Sequence, residues 1–281
     1  MPIYEQTYRR YEARAPLRTL RFWPITREAL RLILARRAFL GLLLVAWVPF
    51  VWRVIQVYIV TQYPQFGRVL PIDGRMFGQF LAVQTLFTLF ISIFGGAGLI
   101  ANDLRTGAIL VYLSRPLTRR DYVLGKIGVL MALNLGVTLV PGILLYVVSV
   151  ALAPEQFATW NLSWIGPAVL LHSLVLSLVV SLVALAASAL SRNARVAGLT
   201  FFLLVFGLET VRRVLGWLYN RPESALLSIQ ASLESLGNAL FGITDRALQL
   251  PWVYPALILF LVSLGCLAIL RARVRAVEIV R

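Results

Sequence analysis

The sequence predicts an all-α, polytopic membrane protein: six transmembrane helices, an interfacial amphipathic helix before the first, a short cytoplasmic helix between the second and third, and short outer helices before the last. Three observations carry that fold class. Of 281 residues, 59% are hydrophobic and 14% charged, with a mean hydropathy of +0.81, whereas a soluble domain carries about 25% charge. Six stretches reach the roughly 20 apolar residues that a spanning helix needs, at about 38–60, 77–101, 124–152, 164–190, 196–217 and 252–270. The basic residues then fall almost entirely on one side of the resulting topology.

An even number of spans puts both termini on one face, together with the loop 102–123 and the turn 191–195. That face holds 20 of the 27 basic residues, among them Arg27, Arg31, Arg36, Arg37, Arg105, Arg115, Arg119, Arg120 and Arg271. The positive-inside bias therefore places both termini in the cytoplasm of a multi-pass protein of the plasma or inner cell membrane. The same bias accounts for the net charge of +15, so nucleic acid is not expected as a partner. Residues 1–21 mix Tyr and Arg without an apolar core and do not read as a signal peptide. Residues 1–37 form an N-terminal arm and interfacial helix; residues 38–281 form the six-span domain. Cys266, the single cysteine, lies in an apolar run and excludes an intrachain disulfide.

Taken in order, Pro24 to Arg37 sets Ile25, Ala29, Leu32 and Ile33 on one helical side with Arg27 and Arg31 on another, and Pro24 suits the first helical position. The helix either lies in the membrane interface plane or is a solvated lead-in to the first span. Gly95, Gly96 and Gly98 are expected to end the second span with small residues, which let neighbouring backbones approach closely and weaken the helix end. Asp103 and Arg105 mark the water interface, and Gly107 permits a turn. Ala108 to Leu113 is apolar nearly all round, Tyr112 giving it a polar tip, and stops before Pro116. Thr118 and Asp121 match a capping box that opens the third span. The result is a short apolar helix flanked by Arg105, Arg115, Arg119 and Arg120. Such a helix needs a groove on a protein partner whose carboxylates pair with the arginines, or it folds into the headgroups.

The run Gly98-Leu99-Ile100-Ala101-Asn102-Asp103-Leu104-Arg105-Thr106-Gly107, followed by Leu113-Ser114-Arg115-Pro116-Leu117-Thr118-Arg119-Arg120-Asp121-Tyr122-Val123-Leu124-Gly125-Lys126, resembles the signature between the second and third spans of permease subunits of type 2 ATP-binding cassette (ABC) exporters. The resemblance implies a coupling helix that seats in a cleft of a dimeric ABC ATPase. Its contacts would come from Asp103, Arg105, Ala108, Ile109, Leu110, Tyr112, Leu113, Arg115, Arg119 and Arg120. It further implies a second permease copy or paralogue, membrane lipid around both, and export from the cytoplasm or between leaflets. No cofactor would bind this chain; ATP and Mg would sit on the partner ATPase. The residues agree, because the only lysine, Lys126, follows Gly125 but precedes Ile127 and Gly128 instead of a hydroxyl that could hold magnesium. His172, the sole histidine, has Ser173 beside it on a different helical face, so it reads as a hydrogen-bonded packing residue and not as a catalytic base. No metal-ligand cluster is visible, and the chain is not expected to be an enzyme.

Charges inside spans call for an account, since they face water or a bundle interior. Arg53, Glu209, Arg212 and Arg213 are these residues, with Glu209 and Arg213 spaced to pair along one helix face. Either they snorkel and pair locally at the outer boundary, or Arg53, Arg212 and Arg213 line an outer vestibule for an anionic substrate or lipid headgroup. Between the fifth and sixth spans, Ala225, Leu226, Ile229, Leu233, Leu236 and Leu240 recur at helical spacing. That helix either lies on the outer leaflet or, as in the exporter family, dips into the membrane. Asn134, Thr138, Pro141 and Gly142, and Ser177, Ser181 and Ser188, are assigned to packing and kinking. Two functions fit: the permease of an ATP-driven exporter, or a non-transporting scaffold that recruits a partner through the same loop.

Overall fold

Six helices long and apolar enough to cross a membrane run Arg37–Gln62, Gly74–Thr106, Arg119–Leu152, Ile165–Leu190, Ala194–Tyr219 and Val253–Arg273 in the computed structural model, which describes residues 22–108, 117–152, 160–219, 222–243 and 251–274. No strand occurs among the described residues. Each helix overlaps one predicted stretch, but the second and third, with 33 and 34 residues, are about 50 Å long at 1.5 Å per residue. A hydrocarbon core is only about 30 Å thick, so this hairpin overshoots it.

The extra length arises where the second span was expected to stop. Gly95 and Gly96 lie in a π-helical turn, Ser92–Gly96, and an α-helix resumes at Ala97 and continues to Thr106. These glycines permit close approach instead of ending the helix. A Cβ on Gly96 would lie 3.0 Å from Leu130 and 3.4 Å from Ala184. The actual stop is Gly107, whose left-handed φ of 70° only glycine adopts readily. The third span starts on the expected capping box, with both reciprocal Thr118–Asp121 hydrogen bonds made. It breaks at Thr138 because Pro141 has no N–H for the preceding turn. The first span breaks likewise at Trp47, just before Pro49, and the Ala46 carbonyl accepts a hydrogen bond from Gln84 at 3.0 Å.

The fourth span is the axis of the bundle: 72% of its most apolar stretch is buried, against 11% for the first span. Small residues allow this, as Ala184, Ala186, Ala187 and Ala189 let neighbouring backbones approach. Its serines hold polar groups that would otherwise be orphaned. Asn134 donates to Ser92 and Ser181, each at 3.2 Å, and Thr138 meets Ser177 at 3.4 Å.

The N-terminal helix Trp23–Leu34 starts one residue before Pro24, which takes its second position instead of the expected first, and docks on the third span. Thr26 donates to the Gly125 carbonyl at 2.9 Å, and a Cβ on Gly125 would lie 3.1 Å from Ile25. It is therefore not a freely solvated lead-in. Its inner face is Ile25, Thr26 and Ile33, with Ala29 partly buried; Leu32, expected on that face, is 60% exposed because Thr26 takes an inward position through its hydrogen bond.

After the fifth span, a 3₁₀ turn, Pro222–Leu227, leads into the helix Ile229–Leu240. Ser228 caps its start and Gly242, at φ 63°, follows its end. Of the expected stripe, Ala225, Ile229 and Leu233 are buried, and Ala231, Ser232, Ser235 and Gly237 are buried as well. The helix contacts the second, fourth, fifth and sixth spans, so it is inserted among them and does not lie on a leaflet. Its turn is seated on Gly74, where an added Cβ would come within 2.4 Å of the Phe241 carbonyl oxygen. Because that obstacle is backbone, Gly74→Ala is expected to destabilise the protein by about 1–3 kcal/mol and lower the melting temperature in detergent. Gly67→Ala, which meets only Val60 at 3.7 Å, is the control expected to melt like the parent.

Candidate functional site

Two polar constellations stand at opposite ends of the bundle. The first lies at the end that carries the N-terminal helix, the Gly107 turn and Val274. There Asp103, on the last turn of the second span, pairs with Lys126 of the third at 2.7 Å, and the Tyr122 hydroxyl donates to the same carboxylate oxygen at 2.8 Å. The Lys126 ammonium also sits 5.4 Å from the centre of the Tyr122 ring. Tyr122 is buried against Val274, Leu104 and Val123, which ties the end of the sixth span into the same knot. Both charges are largely shielded, their side chains 6% and 17% exposed for Lys126 and Asp103.

Local sequence positions each member. The capping box begins the third span at Arg119, which puts Tyr122 and Lys126 one turn apart on one side. Continuation of the second span past Gly98 carries Asp103 to the same level. The loop between Gly107 and Thr118 is thus strapped at its base by a shielded ion pair. Arg105, Arg119 and Arg120 are exposed on its two legs, and Ala108 is half-buried. Ile109, Leu110, Tyr112, Leu113 and Arg115 lie outside the described residues, and with them the body of the expected short helix. Asp103 was expected among the partner-facing residues; its carboxylate is engaged by Lys126 and Tyr122 within the chain. The pairing partner was missed because the two residues lie on different spans, although a lone lysine just inside an apolar segment was a signal that a carboxylate had to be near.

A groove of about 1140 Å³ adjoins this knot, bounded by the N-terminal helix, the second span and the start of the fifth. Ile25, Ala29, Phe90, Phe94, Leu199 and Phe202 make its wall mostly apolar, with Asp103 and Lys126 at one edge.

At the far end lies a cavity of about 430 Å³, enclosed by the start of the second span, the fourth span, the end of the fifth and the inserted helix. Glu209 is its most engaged group. The expected Arg213 pair forms at 2.8 Å, and Arg212 adds two bonds of 2.9 and 2.7 Å. Ser228, capping the inserted helix, donates to the same carboxylate at 2.7 Å. Glu209 thus joins the fifth span to that helix, a role that Ser228 completes and that could not be read from spacing. Arg53 stands apart from the cavity wall and reaches it through Gln79, donating at 3.2 Å, after a bond of 2.6 Å to Gln56. His172 lines the cavity, 4% exposed, between Gly237 and the Phe241 ring, whose centroid is 6.0 Å from its own. It was expected to be hydrogen-bonded, but its Nδ1 has no partner among the described residues. The inserted helix offers it a glycine and a phenylalanine, neither of which supplies a side-chain donor or acceptor.

No group of three or more His, Cys, Asp or Glu that could hold a metal occurs among the described residues. A family model described as "ABC-2 family transporter protein" matches residues 24–270. No curated protein matches the chain.

Proposed function

The chain belongs to the ABC-2 family of transporter membrane proteins, and from that premise we propose that it is the permease subunit of an ATP-driven exporter whose ATPase dimer docks on residues 108–113. The strapped end of the second and third spans is then cytoplasmic, both termini lie in the cytoplasm, and the bundle sits in the plasma or inner cell membrane. ATP and Mg belong to the ATPase. A second permease copy or paralogue completes the membrane half. Substrate passes out of the cytoplasm or between leaflets, and the far end, with Glu209, Arg212, Arg213 and more distantly Arg53, borders its exit.

The observation that carries this reading is the Asp103–Lys126 bridge beneath the loop. A partner pushing on a flexible loop would only deform it. A loop whose legs are joined by a shielded ion pair transmits displacement to two helices about 50 Å long at once. Co-purification with a co-expressed ABC ATPase of the same organism tests the assignment. Deleting residues 108–113 is expected to reduce recovered ATPase at least about tenfold, equivalent to 1.4 kcal/mol or more of lost contact, while the deletion variant melts like the parent. An undiminished complex would refute docking at this loop. A complex without ATP-dependent transport would leave the scaffold function instead.

A further inference from the structure

Arg53 has no opposite charge among the described residues, unlike Arg212 and Arg213, which share Glu209. Its guanidinium meets two neutral amides instead: Nη1 donates to Gln56 at 2.6 Å and Nη2 to Gln79 at 3.2 Å. Gln56 lies one turn nearer the far end of the first span and Gln79 lies on the second, so the planar group is fixed across the seam between these two helices. Arg53 stands nine residues before the end of the first span at Gln62, about 14 Å along the axis. With a hydrocarbon core of about 30 Å centred on this 26-residue helix, the far boundary is roughly 10 Å from its Cα, a distance that an extended arginine largely covers. The side chain is half-buried, and only 11% of the most apolar stretch of the first span is buried. The seam is open to lipid.

A guanidinium presents five N–H donors, and the two glutamines take two of them. An ionised group in a membrane span is costly unless it is paired, and the donors left over form a charge-assisted fork that fits the oxygens of a phosphate. The surfaces around the group decide what carries that phosphate. One and two turns inward from Gln79 on the same side of the second span, Val83 and Leu86 are 45% and 44% exposed, and inward of Arg53 on the first span Val48, Val51 and Trp52 are exposed. A free phosphate ion gains nothing from this apolar surface, whereas a phospholipid lays its acyl chains along it. We propose that Arg53, held by Gln56 and Gln79, binds the phosphodiester of one phospholipid in the seam between the first and second spans, with its chains running inward past Val83 and Leu86. Arg53 is then a lipid anchor and not a lining group for transported anions. Placing this lipid in the outer leaflet rests on reading the strapped loop as cytoplasmic, yet binding needs no ATPase, so failure of the docking test and failure of this one are separate results.

The test uses the full chain in dodecyl maltoside, a detergent without phosphate, titrated with dioleoylphosphatidylglycerol and read by native mass spectrometry. Dioleoylglycerol, with the same chains and no phosphate, and inorganic phosphate, with no chains, are the controls. Phosphatidylglycerol is expected to bind at least about tenfold more tightly than either, a margin of about 1.4 kcal/mol. Arg53→Gln is expected to weaken that binding at least about tenfold, and Gln79→Ala, at an exposed position, by a smaller factor. Arg37→Gln, which removes an exposed charge at the opposite end of the same span, is expected to bind the lipid like the parent. A melting curve for each variant shows that it is folded, and should Arg53→Gln fail to fold, Gln79→Ala carries the test. Equal binding of inorganic phosphate or of dioleoylglycerol would overturn the proposal, as would undiminished lipid binding in the folded variants. An equal loss in Arg37→Gln would overturn it too, by tracing the affinity to overall charge. Dissociation of a dimer of the chain in Arg53→Gln, with lipid binding unchanged, would overturn it in favour of a contact with the second copy.

Discussion

Lys126→Met is expected to destabilise the protein by about 3–5 kcal/mol, because removing one partner of a buried ion pair leaves the other charge uncompensated. Asp103, 17% exposed at its side chain, would keep, among the described residues, only the Tyr122 hydroxyl, 2.8 Å away. The effect should appear as a lower melting temperature in detergent and as faster proteolysis between residues 104 and 118. The double variant Asp103→Leu with Lys126→Met is expected to recover most of the loss. An apolar pair of similar volume often matches a buried ion pair in stability, since the cost lies in breaking the pair. If the purpose of the bridge is to strap the loop, the double variant should nonetheless couple poorly to the ATPase. A Lys126→Met protein that melts like the parent would show that the bridge holds nothing.

Ser188→Ala is the second large effect, and its reason lies on another helix. The Ser188 hydroxyl accepts from the backbone N–H groups of Ile100 and Ala101, at 3.1 and 3.0 Å, and donates to the Ala97 carbonyl at 2.7 Å. It is inserted into the backbone of the second span just past the π turn Ser92–Gly96, and such insertion bends or resets a helix. Single inter-helix side-chain hydrogen bonds in membranes average about 0.6 kcal/mol. Three bonds meeting on one hydroxyl, with backbone groups weakened behind it, put the expected cost at about 1–3 kcal/mol. Hydrogen exchange at the Ile100 and Ala101 amides should accelerate along with the loss of melting temperature. Ser173→Ala supplies the contrast. Ser173 is equally buried on the same span but its hydroxyl has no partner among the described residues, so its removal is expected to be neutral or stabilising. If the two alanine variants melt alike, the inserted hydroxyl is not what supports the second span.

Features governed by near neighbours in the chain were legible beforehand. The capping box at Thr118 and Asp121, the turn at Gly107, the kink at Pro141 and the Glu209–Arg213 pair all depend on residues within four positions of one another. Misreadings occurred where a local signal had a distant cause. Gly95 and Gly96 were read as a helix end that also permits close approach; the helix does not end there, and the clearance serves Phe39 and Leu133 at Gly95 and Leu130 and Ala184 at Gly96. Leu32 matched the apolar period and Thr26 did not, yet Thr26 is buried because the Gly125 carbonyl accepts its hydroxyl hydrogen. Glu209 was paired from spacing with Arg213 alone, and the structure adds Arg212 to the same carboxylate.

By itself the sequence determined the membrane class, the six spans and the elements at their ends, because hydropathy needs only about 20 consecutive residues and caps need only three or four. Only the tertiary structure decided that Asp103 meets Lys126, that Ser188 enters the second span, that the helix Ile229–Leu240 is inserted, and that Arg53 bonds to Gln79. Each of these joins residues from different spans. In the membrane interior hydrocarbon is as apolar as the side chains, so close packing and a few polar contacts choose which spans meet, and their partners cannot be read from one helix at a time.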